Sequence, residues 1–244
     1  MQVDALSLRL RPRTPYEAAD LGTRLCQSAA RDVYRCYLVV GIPVMLLSLA
    51  TVEIAPWLPS LMMWWMKPWL DRTILFVLSR AAFNQRTSLG DLWRAQRHVW
   101  WSQLFSTLTW RRLSPWRSFT QSVYQLEGLG YWKARKRVLQ IRRKKTGPAL
   151  FMTSAYSLCE TSLMVAGLSL AYWFAPTGQA PDLWDLFINE SETFTALVMP
   201  VAYAIAVLFL EPFYVASGFA MYLSRRAELE AWDIEQEFRR AFAQ

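Results

Sequence analysis

Between residues 146 and 224 the chain carries no Lys, Arg or His. Two long apolar runs, 148–174 and 193–223, fill most of this stretch, and a single carboxylate interrupts each: Glu160 in the first and Glu211 in the second. The hydrocarbon core of a bilayer is about 30 Å thick and takes about 20 helical residues to cross. Runs of this length predict spanning helices, so the expected fold is all-α, a polytopic membrane helix bundle. The composition agrees. With 54% hydrophobic residues, 13 Trp, 10 Tyr and 13 Phe in 244 residues, the chain is too apolar and aromatic for an ordinary soluble domain, and a single membrane domain over 1–244 is expected.

The net charge of +8 sits mainly beside the apolar runs, where cytoplasmic loops carry their Lys and Arg. No recognition module or soluble basic face accompanies it, so nucleic acid is not an expected partner. Cys26, Cys36 and Cys159 lack CxxC spacing and read as packing residues, with no metal site and no cofactor expected. The first residues are polar and basic without a short apolar core, so no signal peptide is expected.

Residues 1–32 are read as a cytoplasmic arm followed by an amphipathic helix. Thr14, Pro15 and Glu17 form a capping-box start, and Ala18, Leu21, Leu25 and Ala29 make an apolar stripe of the kind that lies on a surface. A first span follows at 33–54, with Gly41 and Pro43 inside it. Residues 60–83 enclose Lys67, Asp71 and Arg72 around Pro68. They read as a second span broken at Pro68 or, less favoured, as a re-entrant leg followed by an interfacial helix. Cytoplasmic placement of all the basic segments needs an even number of crossings before residue 133, and the broken span supplies it. About four spanning helices result, with both termini cytoplasmic.

Residues 84–147 are expected to form cytoplasmic or interfacial helices. Ser88 and Asp91 can start one, Leu92, Ala95, Val99 and Phe105 fall near one face of it, and Trp100, Trp101 and Trp110 suit headgroup depth. Between 133 and 145 stand eight basic residues, Lys133, Arg135, Lys136, Arg137, Arg142, Arg143, Lys144 and Lys145, and no acidic one. This is the positive fringe of the next span and also a candidate site for anionic lipid headgroups or a protein partner, since each such residue near an anionic surface adds about 1 kcal/mol. The spans at 148–174 and 193–223 flank an acidic outward loop at 175–192, and 224–244 is expected to be a cytoplasmic amphipathic helix.

Glu160 lies 15 residues after Lys145 and Glu211 lies 14 before Arg225, which puts both roughly 21–23 Å from the basic fringe at 1.5 Å per residue. An ionisable group at mid-span costs about 2.5–3.5 kcal/mol and needs a partner. A buried cluster of Glu160 and Glu211 with Lys67 or Arg72, holding one proton, is therefore expected. It acts either as a lock between helices or, in the alternative, as the pathway of a small transporter or proton-linked channel subunit. Catalysis has little support: His98 is the only histidine, and no nucleophile or metal spacing surrounds it.

The segment Leu108-Thr109-Trp110-Arg111-Arg112-Leu113-Ser114-Pro115-Trp116-Arg117-Ser118-Phe119, then Gln125-Leu126-Glu127-Gly128, and the stretch from Phe213 to Leu223 followed by Arg225-Arg226 and by Leu229 to Glu235 resemble an uncharacterised family of proteobacterial inner-membrane proteins. That family is typically encoded near MoxR-type ATPases and von Willebrand A-domain proteins. The resemblance implies a bacterial inner-membrane location and a non-enzymatic scaffold or subunit of an envelope-associated complex, with other membrane or envelope proteins as partners. It implies no catalytic residue.

Overall fold

A computed structural model describes residues 13–102, 104–109, 111–174 and 193–230. All of the regular structure among them is helical. The long helices are α1 (Pro15–Ser28), α2 (Ala30–Leu49, with a 3-10 turn to Glu53) and α3 (Leu58–Ala81). The short helices α4 (Leu89–Arg94), α5 (Leu104–Leu108) and α6 (Arg117–Leu126) follow, then α7 (Tyr131–Arg142), α8 (Thr146–Trp173) and α9 (Thr193–Glu230). Two segments, Ala30–Glu53 and Ala196–Glu230, are long and apolar enough to cross a membrane. The expected outward loop at 175–192 and the tail beyond Glu230 lie outside the described residues, as does Trp110.

The chain divides into two compact units. The first draws on described residues within Met1–Tyr37, Pro68–Thr153 and Pro212–Gln244, and the second on those within Leu38–Lys67 and Ser154–Glu211. The second unit exposes large apolar side chains, among them Leu46, Leu47, Ile54, Trp57, Leu158 and Phe174. Water penalises a surface of this kind and lipid does not.

The first unit is built around a polar helix. In α6, residues 117–123 and Gln125 are all buried, although a sequence such as RSFTQSVYQL reads as surface. Its amides are engaged inside: the Gln121 amide donates to the Pro68 carbonyl at 3.2 Å and the Gln125 amide to the Arg72 carbonyl at 2.8 Å. Arg117 pairs with fully buried Asp71 at 2.9 Å. Buried polar groups are tolerable when partnered in this way.

Against α6 packs α9, and against α9 packs α1. A Cβ on Gly218 would sit 2.4 Å from the Ser118 hydroxyl oxygen, and one on Gly22 would sit 2.3 Å from the Ala216 carbonyl oxygen. Both contacts need backbones closer than any larger residue allows. Hydroxyls stitch the same seam, with Ser217 donating to the Ala19 carbonyl at 3.2 Å. Hence α1 is a packed helix rather than one lying on a surface, and Ala18, Gly22, Leu25 and Cys26 are buried. Its start is as read: Thr14 caps it by accepting from the Glu17 amide at 3.3 Å.

Two sequence expectations are corrected. The helix α3 is not broken at Pro68 but runs without interruption from Leu58 to Ala81. Proline deletes one helical hydrogen bond and crowds the preceding turn, and the packing of Leu70, Ile74, Leu75 and Leu78 in the core holds the helix on course. Second, the apolar run 99–110, expected as one helix at headgroup depth, is not continuous among the described residues. The Ser88–Asp91 capping box starts α4, but a π turn at Arg97–Trp101 and an extended Ser102 end the run, and Phe105 stands exposed while Leu92 and Val99 are buried. The last long helix continues through Arg225-Arg226. Pairs from Arg225 to Glu228 and from Arg226 to Glu230 supply the charge compensation that carries α9 to Glu230.

Placing a side chain at the α1–α9 crossing forces two backbones apart. Gly22→Val is expected to lower unfolding stability by about 1–3 kcal/mol or more, whereas Gly167→Ala, whose Cβ meets nothing within 4 Å, is expected to cause no loss. Thermal unfolding of the two detergent-solubilised variants side by side measures the difference.

Candidate functional site

In the second unit, Lys67 near the middle of α3 meets carboxylates from two other helices. Its Nζ lies 2.5 Å from Glu160 Oε1 on α8 and 2.7 Å from Glu211 Oε2 on α9. The three side chains are 8%, 12% and 0% exposed, so the ion pairs are shielded from water and from salt. The structure thus brings together Lys67, Glu160 and Glu211, residues separated by up to 144 positions. In an environment of low dielectric, one ammonium between two carboxylates repays part of the desolvation of all three, and removal of the cation leaves two like charges facing each other.

Arg72, the alternative cation, does not join them. It belongs to the first unit, where its guanidinium donates to the Val99 and His98 carbonyls and, at 3.2 Å, to the Thr107 hydroxyl. The cause is helical geometry: Arg72 is five residues past Lys67, which turns it well over a hundred degrees around the α3 axis. Within the same unit Asp71 takes Arg117 as its partner.

The eight basic residues of 133–145 separate into two groups. Arg137 pairs with Glu127 and Glu230, and Lys145 with Glu228 at 2.9 Å, while the Arg142 guanidinium lies 3.6 Å over the Trp116 ring. These three hold α7 and its following turn in place. Lys133, Arg135, Lys136, Arg143 and Lys144 are exposed and have no ion pair with a carboxylate among the described residues. Exposed Tyr131 and Trp132 begin the same helix.

The remaining titratable candidates are plain in position. Exposed His98 has Nε2 3.1 Å from the Gln125 carbonyl oxygen. Cys26 and Cys36 are buried, as packing residues are, and Cys159 is exposed. Burial pushes the Cys26 thiol up to about 12, so it stays protonated and unreactive. Among the described residues no group of three or more His, Cys, Asp or Glu could hold a metal ion.

Sequence reasoning missed Asp71–Arg117 as a pair and gave no role to Arg111, whose guanidinium lies 3.5 Å over the Tyr124 ring. The signal available was the density of Arg between 111 and 117, which a polar segment outside the apolar runs disguises as a solvated face.

Lys67→Met is expected to destabilise the protein by about 3–5 kcal/mol, the cost of leaving buried charge unpaired. The triple variant Lys67→Met with Glu160→Gln and Glu211→Gln is expected to regain much of that loss. Unfolding midpoints of the single and triple variants check the coupling, and equal destabilisation by both would exclude it. In comparisons with family models, curated proteins and solved structures, nothing matches the chain.

Proposed function

We propose that the chain is a non-enzymatic, polytopic protein of the bacterial inner membrane, a scaffold or subunit of an envelope-associated complex whose basic cytoplasmic face docks anionic lipid headgroups. Four helices, α2, α3, α8 and α9, cross the membrane, with both termini cytoplasmic. The lengths of α3 and α8, 24 and 28 residues, correspond to about 36 and 42 Å, enough for the bilayer core. Their ionisable residues Lys67 and Glu160 answer each other, which removes much of the charge penalty that keeps these two helices out of the purely apolar class.

The observation that carries the reading is the cluster of exposed cations at Lys133, Arg135, Lys136, Arg143 and Lys144 beside exposed Tyr131 and Trp132. Basic residues mixed with amphipathic aromatics suit the headgroup layer. Affinity purification from native membranes, with mass spectrometry of bound lipids and proteins, tests it. The variant K133Q/K136Q/R143Q/K144Q is expected to lose anionic lipid relative to the parent. Unchanged lipid with loss of one protein would assign the face to a partner, and no change in either would reject docking.

A second reading, a small transporter or proton-linked channel subunit, is favoured by the meeting of Glu160 and Glu211 at one ammonium, since buried ionisable groups of this kind line proton and ion pathways. Under it, E160Q/E211Q abolishes flux in proteoliposomes and leaves partner co-purification intact. Under the scaffold reading the same variant affects only folding or assembly.

A further inference from the structure

The first unit encloses a cavity of about 700 Å³, the size of a pocket for an organic ligand. Its lining includes five arginines, Arg72, Arg111, Arg117, Arg135 and Arg142, and no Asp, Glu or Lys. Among them Arg117 is compensated by Asp71 and Arg72 is taken up by carbonyls and a hydroxyl. Arg111, Arg135 and Arg142 form no ion pair with a carboxylate among the described residues.

Two of these guanidiniums hold unused donors in buried positions. Nη2 of Arg111 and Nε of Arg142 are shielded from solvent and have no hydrogen-bond acceptor among the described residues. Both guanidiniums are half-buried, and a shielded N–H of a cation is best satisfied by an anionic acceptor; burial holds the Arg111 guanidinium below its ordinary value. Each is pinned face-down on an aromatic ring, Arg111 on Tyr124 at 3.5 Å and Arg142 on Trp116 at 3.6 Å. Stacking fixes the plane of the fork and leaves its edge for an acceptor, which is how arginine is pre-organised for a bidentate oxyanion. The lining also includes the hydroxyl residues Thr107, Ser114 and Thr120 and the apolar residues Leu113, Pro115 and Val138.

We propose that this cavity binds a phosphate-bearing organic molecule, with Arg111 and Arg142 clamping the phosphate oxygens and the apolar wall taking the body of the ligand. The excess of positive charge calls for more than the single charge of a carboxylate, and the volume exceeds what a free phosphate fills. The same group could reach the cavity on a lipid headgroup or on a soluble diphosphate. Arg135 and Arg142 belong to the basic segment 133–145, but the cavity is separable from its exposed face, because Arg111 lies outside that segment and Lys133, Lys136, Arg143 and Lys144 are not in the cavity lining.

The test uses the full chain in phosphatidylcholine nanodiscs, with inorganic pyrophosphate as the soluble probe and phosphatidic acid doped into the disc as the lipid probe. Unfolding midpoints and phosphorus-31 NMR report binding. At least one probe is expected to raise the midpoint and broaden its phosphorus signal. Pyrophosphate alone would identify a soluble ligand class, phosphatidic acid alone a lipid, and both the phosphate group as the common determinant. R111Q and R142Q are each expected to weaken binding about tenfold or more, the loss of one charge-assisted pair, while K133Q/K136Q keeps it. Because a Gln variant can misfold, R142K provides the second reading: it keeps the charge and removes Nε, so a built site loses affinity and diffuse attraction does not. Binding of neither probe, or binding insensitive to R111Q, R142K and R142Q in folded protein, overturns the proposal.

Discussion

The cost of taking charge out of water governs both units. In the second unit, Lys67 resolves it by standing between Glu160 and Glu211, and in doing so it joins α3, α8 and α9 at one point. Apolar helices in lipid have little hydrophobic reason to associate with one another, so polar contacts and close packing must hold them. A single ammonium with two carboxylate partners from different helices supplies a contact that neither sliding nor rotation preserves. It therefore sets register as well as proximity, and the apolar side chains around it are left exposed for lipid to cover.

The same constraint shapes the first unit by different means. Its central helix α6 is polar and buried, and Asp71–Arg117, Gln121–Pro68 and Gln125–Arg72 bind it to the continuation of α3. Close backbone contact at Gly218 against Ser118 and at Gly22 against Ala216 then layers α9 and α1 on it. A core of this kind gains less from apolar burial than from satisfied hydrogen bonds, and each such bond is costly to lose once buried. The guanidinium donors on the cavity walls differ from the other shielded polar groups of this unit in carrying positive charge beside a cavity whose lining has no carboxylate.

The two candidate sites differ in kind. The Lys67 cluster has its ligands within the chain, which suits a lock and only secondarily a pathway. The arginine cavity has donors in surplus, which suits capture of something from outside. The cations of 133–145 lie between these cases: Arg137 and Lys145 are spent on internal carboxylates and Arg142 on the Trp116 ring, while Lys133, Arg135, Lys136, Arg143 and Lys144 stand exposed.

What the sequence determined by itself was whatever depends on spacing along one helix. The apolar runs around Glu160 and Glu211, the Thr14 and Ser88 starts, and the equal heights of the two carboxylates follow from residue type and a rise of about 1.5 Å per residue. The tertiary structure alone decided what depends on helices distant in sequence: that Lys67 and not Arg72 meets the carboxylates, that α3 passes straight through Pro68, and that the polar α6 is core. Rotation about a helix axis and the identity of the facing helix select those partners, and neither is written in the spacing of residues. Arg111 shows the limit most clearly, for its stacking on Tyr124, in a lining shared with Arg142 and Trp116, exists only once the chain has folded.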